Sequence, residues 1–151
     1  MERIFLLRGL LVLSLIFSLN SFRPPGNPGL VLEVLTQANG FRKAKGMGWL
    51  EMRRDLNLIA LEHSRDMAEG KTGFGHAGFG ERYAKAKKEI RNLHGFAENV
   101  AYGFISGIQV VLMWEKSPGH RRNLLGPYKY TGIGIAKNKR GQLFYTEIFA
   151  D

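Results

Sequence analysis

Apolar side chains at Val31, Val34, Leu35, Ala38 and Phe41 recur at the three- and four-residue spacing of one helix face, and the pattern stops at Gly46. Asn27 suits the cap of this helix and Pro28 its first position, where the missing N–H has no intrahelical partner to lose. Trp49, Leu50, Glu51 and Met52 then read as a short extended link. A second stripe, Leu56, Ile59, Ala60, His63 and Met67, predicts a helix capped by Asp55 and ended by Gly70. Five glycines, at 70, 73, 75, 78 and 80, are too many for a regular element and predict a loop around His76. Residues 81–90 fit a helix with solvated Lys85, Lys87 and Lys88. Ser106 fits the cap of another, carrying Ile108, Val111, Leu112 and Trp114 up to Pro118. The period then changes. Residues 130–136 and 142–149 alternate or run apolar around Asn138, Lys139, Arg140 and Gly141, a hairpin pattern, and one further strand is expected near 99–104. Helices followed by a terminal antiparallel pair imply an α+β fold with helices packed on a small sheet.

The amino end does not belong to that pattern. Arg3 and Arg8 precede an apolar run over residues 10–19, the layout of a secretory signal peptide. The run is shorter than the ~20 residues a spanning helix needs. Ser18 and Ser21 offer processing positions, but Leu19 and Asn20 depart from a small-x-small site, so an uncleaved membrane anchor is the alternative. Residues 22–29 are rich in Pro and Gly and read as a linker, which leaves 30–151 as one domain. The expected location is secreted, periplasmic or in the cell envelope, or membrane-tethered if the leader stays.

With 44% hydrophobic residues among 151, the chain can build a core, which excludes a disordered or collagen-like polymer. The absence of cysteine excludes disulfides, thiolate metal sites and cysteine nucleophiles, so any metal must use His, Asp or Glu. The 22 Lys plus Arg against 13 Asp plus Glu make the chain basic, at +9. The leader holds only Arg3, Arg8 and Glu2 of these charges, so the excess belongs to the domain. An anionic lipid or envelope polymer is therefore the expected kind of partner. The basic clusters are scattered along the chain, which fits a solvated surface, and export argues against nucleic acid. A monomer is expected.

Four histidines carry the candidate chemistry. His63 shares the apolar face of its helix and reads as a hydrogen-bonded core residue, and His94 as an exposed loop residue. His76 and His120 stand in glycine-flanked, loop-like settings from which a side chain can point into a cleft. Glu98 is an acid inside the apolar stretch 96–101 and must be paired, hydrogen-bonded or used. Ser117 and His120, three residues apart, have the residue types of a nucleophile and its base. No orienting acid is in view, and Ser117 before Pro118 more naturally closes the preceding helix. Gly132, Ile133 and Gly134 lack the third glycine and following helix of a dinucleotide fingerprint and read as close backbone packing.

Five blocks then occur in order: 60–68 around Glu62-His63, 75–82 beginning Gly-His, 97–101 with Glu98-Asn99, 114–125 with Pro118-Gly119-His120 and Arg122-Asn123, and 132–136, Gly-Ile-Gly-Ile-Ala. Together, over about residues 30–149, they resemble the bacterial branch of the CAP superfamily: the cysteine-rich secretory proteins, antigen 5 and pathogenesis-related class 1 proteins, whose domain is also called SCP. The resemblance implies a three-layer α-β-α sandwich around a small, mainly antiparallel sheet, with a cleft lined by two histidines and acids. Carried over by position, these are His76, Glu98 and His120. The remaining acid of the family falls at Ser117, as is common in the bacterial branch. Ala97 stands where Gly is usual and Glu147 where Gln is usual.

What the resemblance implies about function is an exported ligand-binding or interaction module. The same His76, Glu98 and His120 are the candidate ligands for zinc or another divalent cation, two imidazoles and a carboxylate being the minimum of an open zinc site. The alternative is a metal-dependent, peptidase-like hydrolase with those three as its catalytic residues and Ser117 as a cleft neighbour.

Overall fold

Asn27 accepts a hydrogen bond from the Leu30 N–H at 3.3 Å and Pro28 follows it, so helix α1 (Pro28–Ala44) starts where the cap pattern placed it. The computed structural model describes residues 26–103 and 106–151. The leader and possible anchor expected over 1–21, and the linker as far as residue 25, lie outside them. After α1 come β1 (Glu51–Met52), α2 (Arg54–Ala68), α3 (Phe79–Glu89), β2 (Phe96–Gly103), α4 (Gly107–Lys116), α5 (Pro118–Leu124), β3 (Tyr130–Lys137) and β4 (Leu143–Ala150). The sheet order is β1-β3-β4-β2, antiparallel except for β1 beside β3.

Alternation along β3 and β4 sends successive side chains to opposite faces, and each face finds its own helices. On one side Ile133, Ile135, Tyr145 and Phe149 pack on Val31, Val34 and Ala38 of α1 and Val110, Val111 and Trp114 of α4. On the other, Ile148 and Ala150 pack on Leu56, Ile59 and Ala60 of α2 and Ala86 of α3. This is the three-layer α-β-α sandwich expected from the resemblance.

Four local expectations are corrected. The link at 49–52 contains β1, whose backbone pairs with Tyr130 and Thr131 once the chain folds. Helix α2 starts at Arg54, so Asp55 lies inside its first turn; the Asp55 carboxylate accepts from the Leu56 N–H and pairs with Arg53. Helix α3 starts at Phe79, two residues before the expected start, because Gly78 takes a left-handed turn at φ 75° that ends the loop. His120 is not in a loop: Pro118 starts the short helix α5, which contains it.

Gly132 and Gly134 lie where α2 crosses β3. A Cβ on Gly134 would overlap the backbone of Ala60 and Leu61, and one on Gly132 the backbone of Leu56. The close packing read from the Gly-Ile-Gly segment is therefore a backbone-to-backbone contact. Gly134→Ala is expected to lower stability by about 3 kcal/mol, since a whole helix must move to admit one methyl group. Urea unfolding checks this, and an unchanged midpoint would show that the contact is slack.

Behind the sheet sits a buried charge. Arg42, 1% exposed, donates to the carbonyls of Gly48, Leu124, Gly126 and Tyr128, tying α1 to the segment that follows α5. Its charge acts on Glu147, which is fully buried in β4; Glu147 Oε1 accepts from the Thr131 hydroxyl at 3.3 Å. Burial pushes the Glu147 carboxyl up to about 8, against the smaller opposing pull of Thr131 and Arg42.

Candidate functional site

Consecutive residues of β2, an edge strand of the described sheet, serve opposite faces. The fully buried Glu98 carboxylate points toward α2, α3 and the glycine-rich loop, and the buried Asn99 toward α5. Glu98 takes a two-point ion pair from Arg82 of α3, Nε to Oε2 at 2.6 Å and Nη2 to Oε1 at 2.8 Å. The His76 ring in the loop bonds the same Oε1 through Nδ1 at 2.9 Å. Arg82 also donates to the carbonyls of Ala77 and His76, so one guanidinium holds both the acid and the loop.

His63 completes this cluster from α2. Its Nε2–H donates to the Gly75 carbonyl at 2.8 Å and lies 3.8 Å from Glu98 Oε1. Burial, followed by the charge of Arg82, holds His63 below the ordinary histidine range and keeps it neutral at pH 7. The core reading of His63 stands, but its hydrogen bond anchors the loop that carries His76.

On the other face Asn99 Nδ2 donates to the His120 carbonyl at 3.1 Å. Asn123 Nδ2 donates to Asn99 Oδ1 at 2.9 Å and to the Glu98 carbonyl at 3.2 Å. The Trp114 indole donates to the Val100 carbonyl at 3.2 Å. These side chains cap outward carbonyls of the edge strand and fix α5 against it. His120 Nδ1 lies 2.9 Å from Ser117 Oγ. Burial, then the nearby His76 charge, lowers the His120 pKa, so this ring too is neutral at pH 7.

Phe74, two residues before His76, lies across from Ser117 and His120 in a groove of about 270 Å3 completed by Tyr102, Met113 and Trp114. Phe74 and Tyr102 pack ring to ring at 4.7 Å, and both are half-exposed. A second pocket of about 230 Å3 is lined by His63, Asp66, Glu81 and Arg82.

Glu98 and His76 are thus in direct contact, and His120 and Ser117 are in direct contact. The groove is lined by the second pair only, and the link between the two is the electrostatic reach of His76 on His120. His94 is exposed and makes none of these contacts. A three-ligand metal site of His76, Glu98 and His120 does not fit this arrangement, because Arg82 and His76 already occupy both Glu98 oxygens. No group of three His, Asp or Glu among the described residues is placed to hold an ion. The donors left are the Nε2 atoms of His76 and His120. Sequence reasoning missed Arg82, Asn99 and Asn123. The demand of a buried Glu98 for a cation was readable, but the choice of Arg82, 16 positions away, was not.

The model of the cysteine-rich secretory protein family, CAP, matches residues 35–149. The uncharacterized membrane protein YlbC of Bacillus subtilis is 30% identical over 121 residues, covering 78% of this chain and 33% of its own length. The uncharacterized protein YkwD of the same organism is 29% identical over 114 residues, covering 74% of this chain and 44% of its own. The chain therefore spans less than half the length of these curated relatives. Among solved structures, an outer surface protein from Borrelia burgdorferi superposes with a TM-score of 0.70 at 21% identity, over 81% of this chain and 92% of that one. An extracellular protein containing an SCP domain from Bacillus anthracis gives 0.67 at 25% identity, over 78% of this chain and 39% of that one. No helix among the described residues is long and apolar enough to cross a membrane.

Proposed function

The chain belongs to the bacterial branch of the cysteine-rich secretory protein (CAP) family, and from that premise we propose that it acts outside the cytoplasmic membrane as a ligand-binding or interaction module. One observation carries the reading: the imidazoles of His76 and His120 are both held through Nδ1, by Glu98 and Ser117, which leaves both Nε2 atoms for a ligand. The Glu98 carboxylate accepts from the His76 Nδ1–H, which leaves the lone pair on Nε2, and the Ser117 hydroxyl can accept from His120 Nδ1 in the same way, so both rings are held before any ligand arrives. The groove beside His120 supplies apolar surface, so the ligand we propose places a polar or metal-bridged group at the histidines and an apolar group against Phe74 and Tyr102.

In this proposal a divalent cation such as zinc would take His76 and His120 as protein ligands, one short of an open protein site, with the missing donor coming from the bound ligand, while Glu98 and Ser117 orient the rings from behind. Bound there, it would supply a Lewis acid with open positions for the ligand's own donor atoms. The hydrolase alternative is the weaker reading. Its general base would have to be Glu98, whose oxygens are both engaged by Arg82 and His76.

Calorimetric titration with zinc tests the site. Heat of binding is expected for the native protein and is expected to disappear in His76→Ala and in His120→Ala, both of which alter half-buried or exposed rings and leave the core untouched. Equal heats from all three proteins would remove the histidine pair as the binding element.

A further inference from the structure

Three features distant in sequence meet at one end of the fold. Gly26, where the chain enters the described domain, lies against the Ile135 carbonyl and Leu61. The strand register sets Gly103 and Lys137 on either side of Leu143, so this end of the sheet also carries the β3–β4 hairpin with exposed Lys137, Lys139 and Arg140. Helix α4 starts four residues after the last pairing of β2, its Gly107 N–H donating to Glu33 of α1 at 3.0 Å. Leu32 and Ile108 line a shared groove there, at 49% and 46% exposure, and Tyr102 at the end of β2 is 52% exposed. Glu69 faces the hairpin, but its carboxylate is bonded to Lys71 at 2.7 Å.

We propose that this end of the domain docks on a bilayer of anionic phospholipid, with Leu32, Ile108 and Tyr102 entering the headgroup region and Lys137, Lys139 and Arg140 meeting the phosphates. The Leu32–Ile108 groove is lined by Glu33, whose Oε2 is taken by the Gly107 N–H, and the cations lie on the hairpin at the same end of the sheet, so apolar burial and attraction to anionic lipid act from neighbouring patches. The entry point supplies the second argument. The apolar run at residues 10–19 joins the domain at Gly26, so a chain held by that run presents this same end to the membrane. A second copy is a poorer occupant, because a two-fold contact here would set three cations against three. Apart from Tyr102, which also lines the groove beside His120, the inference does not depend on the histidine cleft.

The natural absence of cysteine allows single-site labelling of the full chain. An environment-sensitive dye is placed at Ile108→Cys, or at Arg91→Cys in the exposed turn before β2, which lies at the opposite end of the sheet. With phosphatidylglycerol vesicles the dye at 108 is expected to shift to the blue and brighten, and the dye at 91 to stay unchanged. Reversing the hairpin (Lys137→Glu, Lys139→Glu and Arg140→Glu together) is expected to abolish the shift at 108, as is high salt, while leaving zinc heats as they were. An unchanged dye at 108, an equal change at 91, or a shift at 108 that appears without vesicles and grows with protein concentration would each overturn the docking face.

Discussion

Glu98→Ala is expected to lower the stability of the domain by about 3–5 kcal/mol, a large part of what a domain of this size possesses. The reason is the partner left behind. Arg82 is 6% exposed and keeps only the carbonyls of Ala77 and His76 once the carboxylate is gone. A buried guanidinium without its counter-charge is the costly state, more than the loss of the pair as such. Two further consequences follow from the same contacts. His76 loses its Nδ1 anchor, so zinc heats at the cleft are expected to weaken even in the fraction that stays folded. Replacing both partners, Glu98→Ala with Arg82→Met, is expected to be less damaging than Glu98→Ala alone. Urea denaturation of the two variants beside the native protein measures both effects. A loss below about 1 kcal/mol for the single variant would mean that water reaches Arg82 and that the cluster is not a dry one.

The second large effect concerns pH. Glu147 keeps its proton in the folded protein up to about pH 8, whereas an ordinary glutamate ionises near 4.5. Below the lower value folded and unfolded chains are both protonated, and the buried carboxyl carries no penalty. Between the two values only the unfolded chain gives up the proton, so stability falls by about 1.4 kcal/mol for each pH unit. Above the folded value both are ionised and the decline stops. Glu147→Gln, which restores the residue usual in the family at this position, does not titrate. It is expected to match the native protein near pH 4.5 and to exceed it by several kcal/mol at pH 8. Thermal unfolding across that range checks the prediction, and parallel profiles for the two proteins would contradict it. Arg42 works against the full effect, since its charge, delivered through a cage of four carbonyls, partly supports an ionised Glu147. Glu147 Oε2 has no hydrogen-bond partner among the described residues, which agrees with a carboxyl held neutral by its surroundings.

Much of the architecture is local and was therefore legible. Asn27 before Pro28, Ser106 as a cap, the stripe from Leu56 to Met67 and the turn at 138–141 each act within a few residues, and each element formed there, α2 starting ahead of its expected cap Asp55. The five ordered blocks extended that to the layer arrangement and named His76, Glu98 and His120. Short-range signals failed where an element depends on a distant partner. Strand β1 exists because Tyr130 and Thr131 lie beside it, and two residues have no period to read. Helix α5 is held by Asn99 and Asn123 as much as by Pro118.

Taken by itself, the amino-acid sequence determined helices α1 to α4, the hairpin, the glycine contact and the presence of a buried acid that needed a partner. Only the tertiary structure decided that the partner is Arg82, that Glu98 is consequently an anchor for His76 and not a free carboxylate, and that Ser117 does the same for His120. The physical reason is range. Periodicity and caps are fixed by neighbours along the chain, whereas the hydrogen bonds of a buried carboxylate are chosen among whatever donors the packing of α2, α3 and β2 brings within about 3 Å of it.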